Sequence, residues 1–194
     1  MQIKPYYVFF DTETTGLPKN YKAPVTELDN WPRLIQLAYI IYSENGEKID
    51  EGNHIIKPID FTIPIEASNV HGITTAKAIS EGKDLVEVLN VFHEIIRENS
   101  VLVAHNIAFD EKIIGAEFLR NGYTNIIDQK PKICTMKATV EFCSIPGPFG
   151  FKWPGLAELH IKLFGKNFDN AHDAFADIEA TANCFWELKK IGEI

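Results

Sequence analysis

The stretch YYVFFDTETTG, residues 6–16, predicts the central strand of the fold and the position of the candidate site. Its first five residues are apolar on both faces, which is typical of a central strand covered by helices on each side. Asp11 and Glu13 follow at alternate positions. If the extended backbone continues past Phe10, both carboxylates leave the same face of the strand. The alternative is a turn, because TETTG is rich in Thr and ends in Gly16.

Outward from this strand, the chain alternates strand and helix patterns. Two apolar runs flank an Asn-Gly turn and predict an antiparallel hairpin of strands at 33–43 and 49–58. Beyond Thr74 the apolar period becomes helical. We expect a helix around 85–96, a strand at 101–104, a helix at 107–120, a strand at 131–135 and helices at 136–142, 156–164 and 174–190. The pattern predicts an α/β fold, a mixed sheet of about five strands flanked by helices, with sites at strand ends.

The composition is that of a folded protein with an acidic surface. The chain has 194 residues, of which 45% are hydrophobic and 24% are charged. These fractions exclude collagen, coiled coil and wholesale disorder, and the length predicts one domain over residues 1–194. The 27 acidic residues outnumber the 19 Lys and Arg and give a formal charge of −8. This excess argues against a protein that grips nucleic acid by bulk charge.

Cysteine spacing and hydropathy indicate the cellular compartment in which the protein works. The three cysteines lack a CxxC spacing, so the sequence predicts free thiols and neither a zinc site nor a disulfide framework. The apolar run at residues 6–10 is too short for a signal peptide. No stretch approaches the roughly 18 apolar residues of a membrane helix. We therefore expect a cytoplasmic protein without membrane association.

Two further acids fall on faces that should be buried. Asp110 lies in the first turn of the predicted 107–120 helix, on the same face as Ile113 and Ile114. An interaction with the helix macrodipole is an equally good explanation of it. Asp177 lies along the inward stripe of the last helix, where an unpaired carboxylate costs several kcal/mol unless a positive charge meets it. The other members of that stripe are Ala174, Ile178, Thr181, Phe185 and Leu188.

His172 completes the set of candidate residues. It precedes Asp177 by five residues, so the two cannot share a helix face, and the spacing places His172 in the loop before the helix. A lone histidine there is ordinarily a loop residue. The order of the signals is more specific than any one of them: D-x-E after a buried strand, Asp at a helix start, then H-x4-D opening the last helix.

At these residues the chain resembles a known family. FFDTETTG (9–16), AHNIAFD (104–110) and HDAFAD (172–177) are similar to the three motifs of the DEDDh, or DnaQ-like, 3′→5′ exonucleases. That group includes the epsilon proofreading subunit of bacterial DNA polymerase III, RNase T and TREX-type nucleases. VHGIT (70–74) and KWPGLAELHIKLFG (152–165) resemble epsilon-like segments. The resemblance implies an RNase H-like exonuclease fold that releases nucleoside 5′-monophosphates from the 3′ ends of DNA.

The resemblance also implies roles for individual residues. Metal ligation is implied for Asp11, Glu13, Asp110 and Asp177, with His172 as general base. The cofactors would be two divalent ions, Mg²⁺ or Mn²⁺, that clamp the attacking and leaving oxygens of a phosphodiester. Hard cations of this kind prefer oxygen ligands.

Substrate contacts are implied at five further positions. Main-chain groups around Thr12 and Thr14, together with Leu17, resemble the family's cradle for the terminal nucleotide. Asn106 either bonds the nucleotide or caps the helix. Phe109 is either a core residue or a stacking platform. We interpret His105 as structural.

Two departures from the family and three functional alternatives remain. Residues 17–32 form a longer connection than in compact epsilon-like domains, and Lys19 and Lys22 make it either a strand-guiding lip or an ordered surface loop. We expect no polymerase-binding tail after the last helix, and therefore expect a stand-alone DNA exonuclease. The other two alternatives are an RNase T-like exoribonuclease that trims RNA 3′ ends, and a catalytically silent module that binds nucleic acid or protein.

Overall fold

A computed structural model of the chain describes residues 6–169 and 173–194, and a mixed sheet forms its centre. The sheet strands are β1 (Tyr6–Thr14), β2 (Leu34–Tyr42), β3 (Lys48–Ile55), β4 (Ser100–Ala104) and β5 (Lys132–Cys134). They lie in the order β3-β2-β1-β4-β5. β2 pairs antiparallel with β1 and β3, whereas β4 pairs parallel with β1 and β5. The predicted mixed sheet of five strands flanked by helices is confirmed.

Helices cover both faces of this sheet. They are α1 (Ile65–His71), α2 (Thr75–Glu81), α3 (Leu85–Arg97), α4 (Ile107–Arg120), α5 (Thr135–Ala138), α6 (Val140–Cys143), α7 (Leu156–Phe164) and α8 (Ala174–Ile191). Short 3₁₀ turns occupy Leu28–Asn30 and Ile127–Gln129, and a small hairpin pairs β6 (Pro146–Gly147) with β7 (Gly150–Phe151). Within residues 6–169 and 173–194, each helix is too short or too polar to cross a bilayer.

Strand β1 is central because both of its faces are apolar. Phe10 packs into the cluster formed with α3 and α4, and its ring lies 5.5 Å from that of Phe92. Phe9 points the other way and packs against Phe185 of α8, with ring centroids 5.1 Å apart. One strand thus anchors two cores, as its double-faced pattern predicted.

The strand continues further than its apolar residues. β1 extends through Thr14, with Glu13 opposite Gln36 of β2 and a bulge between Glu13 and Thr14. The turn interpretation of the start of TETTG is therefore wrong. Because the backbone is extended, Asp11 and Glu13 leave the same face of β1.

Two further predicted elements differ from the observed ones by more than one residue at an end or in their continuity. The helix predicted at 136–142 is two short helices, α5 and α6, which meet at Thr139. The buried Thr139 hydroxyl donates to the carbonyl of Thr135 at 2.7 Å, and such bonds bend helices. The third strand ends at Ile55, before its expected end at Pro58, because the chain then turns toward Lys83, whose carbonyl accepts from the Lys57 amide at 2.9 Å.

Helices α1 and α2 were not predicted. Each has only seven residues, too few for a clear amphipathic repeat. Gly72 ends α1 with φ of +74°, a left-handed conformation that favours glycine.

The 17–32 connection is an ordered loop. The buried Trp31 donates its indole N–H to the Pro24 carbonyl at 3.1 Å. Arg120 of α4 donates to the carbonyls of Leu28 and Trp31 at 2.6 and 2.7 Å. Lys19 and Lys22 are exposed. The loop is therefore packed against the rest of the protein near Trp31, and its two lysines face solvent.

Candidate active site

Three carboxylates converge where β1 meets α8. One oxygen from each of Asp11, Glu13 and Asp177 lies within 4.8 Å of the others. β1 supplies the first two, and the first turn of α8 supplies Asp177. The convergence follows from packing, because the apolar residues at the start of α8 lie against β2 beside β1. We refer to these three residues as the carboxylate cluster.

Asp110 lies beside the carboxylate cluster and is held by β1. It is 3% exposed in the first turn of α4. Its Oδ1 accepts from the Thr12 amide at 3.0 Å and from the Thr12 hydroxyl at 2.7 Å. The Asp110 charge also raises the pKa of Asp11, so the two carboxyls are near neighbours. The Thr12 amide therefore donates to Asp110, although the resemblance implies that it belongs to the nucleotide cradle.

Among the described residues, the charges that act on Asp11 and Glu13 are negative. Burial, followed by the charges of Asp110, Glu13 and other acids, raises the pKa of Asp11 well above its ordinary value. Burial and then Asp177 raise the pKa of Glu13 to about 8. Burial raises the pKa of Asp110 to about 7, although the hydrogen bonds from Thr12 oppose the shift. Within residues 6–169 and 173–194, each charge that shifts the pKa of Asp11 or Glu13 belongs to a carboxylate.

This arrangement fits a divalent cation. The carboxylates need positive charge to ionise together, and no Lys or Arg of the described residues contributes to the pKa values of Asp11 and Glu13. The donor atoms are all oxygens, which suits hard ions such as Mg²⁺ and Mn²⁺. The cluster therefore has the ligand chemistry of a metal site.

His172, the predicted general base, lies outside the described residues. The next residue, Asp173, caps α8 by accepting from the amides of Phe175 and Ala176 at 3.0 and 3.1 Å. The start of α8 that carries Asp177 is thus fixed by its own cap.

A groove of about 560 Å³ adjoins the carboxylate cluster and shares Glu13 with it. It brings together four of the predicted substrate residues: Thr12, Thr14, Leu17 and Phe109. Leu17 is 74% exposed at its edge, whereas Phe109 is partly buried and also packs on the main core. The remaining lining comes from Glu13, Gly16, Glu66, Ala67, Val70 and His71. We refer to this feature as the apolar groove.

Asn106 does not cap α4 through its side chain. It is the N-cap residue by position, but its side chain forms no capping hydrogen bond. Its φ of +69° is left-handed, and its exposed side chain lies outside the lining of the apolar groove. The capping interpretation is wrong, because the backbone conformation takes the amide away from the first turn. The nucleotide contact of Asn106 stays a prediction.

His71 lines the groove and was missed from the sequence. It is buried at the end of α1, and its Nδ1 accepts from the Ile73 amide at 3.1 Å. Burial lowers its pKa, so the ring is neutral near pH 7 and carries its proton on Nε2. The one available signal was the VHGIT segment, which resembles the family without indicating a role for the histidine.

His105 is structural, as expected. Its Nδ1 lies 3.0 Å from the Thr135 hydroxyl, and its Nε2 lies 3.0 Å from the Pro154 carbonyl. Burial lowers its pKa. A neutral ring donates from Nε2 to the carbonyl and accepts the hydroxyl proton at Nδ1. This ring joins the β4–α4 junction to residues that precede α7.

Comparison of the sequence with known proteins identifies a family. A family model described as Exonuclease (RNase_T) matches residues 8–185. The PolC-type DNA polymerase III of Pediococcus pentosaceus is 30% identical over 188 residues, which are 96% of this chain and 12% of the relative. The Streptococcus pyogenes PolC-type polymerase is 34% identical over 190 residues, 95% of this chain and 11% of that protein. The chain thus spans about a tenth of these relatives.

The fold matches that of solved exonucleases. E. coli exonuclease I in complex with a dT13 oligonucleotide superposes with a TM-score of 0.77 at 22% identity, covering 96% of this chain and 41% of that one. Its zinc-bound complex with single-stranded DNA superposes with a TM-score of 0.76, also at 22% identity, covering 97% and 41%. The predicted exonuclease (RNase H-like) fold is confirmed. Because the family match spans Asp11 through Asp177, the chain belongs to the exonuclease family.

Proposed function

We propose that residues 1–194 act as one exonuclease domain that hydrolyses the last phosphodiester bond at the 3′ end of DNA and releases nucleoside 5′-monophosphates. The observation that carries the proposal is the carboxylate cluster beside the apolar groove, in a chain of the exonuclease family. The groove offers space for a terminal nucleotide, and the cluster faces the place where its phosphate would lie.

The resident cofactors would be two divalent ions, Mg²⁺ or Mn²⁺. Asp11, Glu13 and Asp177 would hold them, with Asp110 beside them. When bound, such ions polarise a phosphodiester and lower the pKa of water. The carboxylates fix their position, and Thr12 orients Asp110 through two hydrogen bonds.

The protein's own groups bind the substrate and move the proton. Leu17 and Phe109 contact the terminal base across the apolar groove and exclude water from it. His172, in its neutral form, accepts the proton of the attacking water. A neutral imidazole suits this step, because its ordinary pKa lies near neutrality.

Two observations support DNA as the preferred substrate. The relatives are DNA polymerases, and the matched exonuclease I structures contain DNA oligonucleotides. RNA 3′ ends are the alternative substrate, since the resemblance includes RNase T. A silent binding module has no physical need for converging carboxylates that raise one another's pKa.

End-labelled digestion tests the proposal. Single-stranded DNA and RNA of one sequence, each labelled at the 5′ end, are incubated with Mg²⁺, Mn²⁺ or EDTA. We expect DNA to be shortened from its 3′ end faster than RNA, and all cleavage to stop in EDTA. A 3′-phosphate on the strand should slow the first cleavage. Equal or faster RNA cleavage would replace the DNA proposal with the exoribonuclease, and no cleavage under any metal would overturn both.

A further inference from the structure

Three aromatic rings stand in solvent on one small hairpin that the proposed function does not use. Phe149 at its tip is fully exposed, Trp153 is 62% exposed and Phe151 is 48% exposed. Single exposed apolar residues are normal on a protein surface, but three large rings within five residues mark an interaction surface. We refer to residues 145–154 as the aromatic hairpin.

The backbone holds these rings outward. Pro146 pairs with Phe151 and Gly147 with Gly150, so Phe149 lies in the turn between β6 and β7. The amide of Lys152 donates to the Ile145 carbonyl at 2.9 Å and extends the pairing. Phe151 and Trp153 occupy alternate positions, which share a face in extended backbone.

The base of the aromatic hairpin is fixed beside the candidate active site. Nε2 of His105 lies 3.0 Å from the Pro154 carbonyl. His105 follows β4 directly and precedes α4, the helix that carries Asp110. Since β4 runs parallel to β1, this junction lies at the same edge of the sheet as the carboxylate cluster.

Positive charge accompanies the rings. The Lys137 ammonium lies 6.0 Å from the centroid of the Trp153 ring, at the outer limit of a cation–π contact. Lys152, which directly precedes Trp153 in the sequence, pairs with Glu158 at 2.6 Å. Exposed rings interleaved with lysine are the pattern of sequence-independent binding to single strands, because every base has a face to stack and every nucleotide a phosphate.

We propose that the aromatic hairpin is a stacking platform for single-stranded nucleic acid, holding nucleotides that precede the terminal one in the apolar groove. This inference rests on the proposed exonuclease function. Two observations favour a nucleic-acid strand over a protein partner: the Lys137 ammonium beside Trp153, and the contact of Pro154 with His105 at the β4–α4 junction. A substrate strand that leaves the apolar groove would carry both bases and phosphates past this edge of the sheet.

Steady-state kinetics on strands of two lengths test the inference. The Phe149→Ala and Trp153→Ala double variant is compared with wild type on a DNA trinucleotide and on a strand of about 20 nucleotides. We expect KM for the long strand to rise at least about fivefold for each ring removed, with kcat unchanged and the trinucleotide unaffected. Trp153→Phe should restore most of the affinity lost at that ring. Val91→Ala, which trims an exposed apolar residue of α3, is the matched control.

Binding separates failure of the inference from failure of the proposed function. Fluorescence anisotropy of the long strand, measured in EDTA, reports affinity without cleavage. Weaker binding by the double variant supports the platform even if wild type cleaves nothing, which would overturn only the exonuclease proposal. An unchanged dissociation constant overturns the platform, and would leave the exposed rings to a protein partner. An equal loss on both strand lengths would also overturn it.

Discussion

The residues of the carboxylate cluster destabilise one another in the absence of a cation. Burial and mutual repulsion raise the pKa of Glu13 to about 8 and that of Asp11 well above its ordinary value. The sequence identified these acids because charged residues directly followed an apolar strand. It could not identify His71, because a histidine at the end of an unpredicted helix carries no pattern of its own. The capping role of Asn106 was misjudged because its left-handed backbone is not visible in its residue type.

Glu13→Gln should separate the contribution of this carboxylate to turnover from its effect on the stability of the fold. We expect turnover to fall at least about 100-fold, because a cation ligand is lost. In EDTA at pH 9, where wild-type Glu13 is ionised, the variant should be more stable than wild type by a few kcal/mol, because the repulsion is removed. Urea unfolding and initial-rate assays give the two values. Lower stability of the variant at that pH would contradict the electrostatic explanation.

His172→Ala tests the general base. We expect turnover to fall by roughly 10² to 10⁴, the usual range for proton transfer, while folding and metal binding remain. Circular dichroism and a Mn²⁺ titration provide the controls. Near-normal turnover in this variant would exclude the assignment.

Among the helices, those of nine or more residues were predictable from sequence, and the two helices of seven residues were not. The predicted bounds of α4 and α7 agree with the observed helices Ile107–Arg120 and Leu156–Phe164. α1 and α2 have seven residues each and form because tertiary contacts, such as the small cluster around Ile35 and Ile73, bury one side of them. The groove depends on α1, so its outline could not be read from the sequence.

One buried carboxylate joins the 17–32 loop to the sheet. Glu117 of α4 is fully buried, and its Oε1 accepts from Arg33 at 2.8 Å, from the Leu34 amide at 3.1 Å and from Arg120 at 2.9 Å. Arg120 in turn holds the carbonyls of Leu28 and Trp31. The loop is therefore tied to α4 and β2 by one ionic network.

Glu117→Gln should destabilise the protein by about 3 kcal/mol, because it leaves two arginines without their buried counter-charge. Glu187→Gln is the matched control, since Glu187 pairs with Lys190 on the surface of α8 and should change stability by less than about 0.5 kcal/mol. Urea unfolding of the three proteins measures both effects. Equal stability of the two variants would mean that the network does not hold the loop.

For the whole molecule, the negative net charge is compatible with the proposed exonuclease activity. The formal charge of −8 argues against bulk phosphate binding, but two divalent cations would roughly halve it. A protein that binds a few nucleotides near a 3′ end through stacking and bound cations needs no basic stripe. The bound cations would supply positive charge at the carboxylate cluster, where the sequence supplies an excess of acidic residues.

The stability of the metal-free protein should depend on pH in the direction set by raised pKa values. The Glu13 pKa rises from 4.5 to about 8 and that of Asp110 from 3.8 to about 7, so the folded state binds more protons than the unfolded state between these limits. Stability is then fully present below about pH 4 and is lost as pH rises toward 8, by a few kcal/mol. Mg²⁺ should restore it at pH 8 and add little at pH 5. Thermal unfolding in EDTA and in Mg²⁺ measures this difference, and a metal-free stability that increases from pH 5 to pH 8 would contradict it.

Calorimetric titration of Mn²⁺ into the protein without nucleic acid tests the carboxylate cluster as a metal site. Wild type should bind Mn²⁺ and release protons at pH 7, because the raised pKa values of Asp11 and Glu13 leave protons to displace. Asp177→Asn should weaken this binding at least about tenfold, because it removes one ligand of the cluster. Glu179→Gln, an exposed acid two residues along α8, should bind as wild type does. Equal Mn²⁺ binding by all three proteins, or none by wild type, would contradict the claim that the carboxylate cluster is the metal site of an exonuclease.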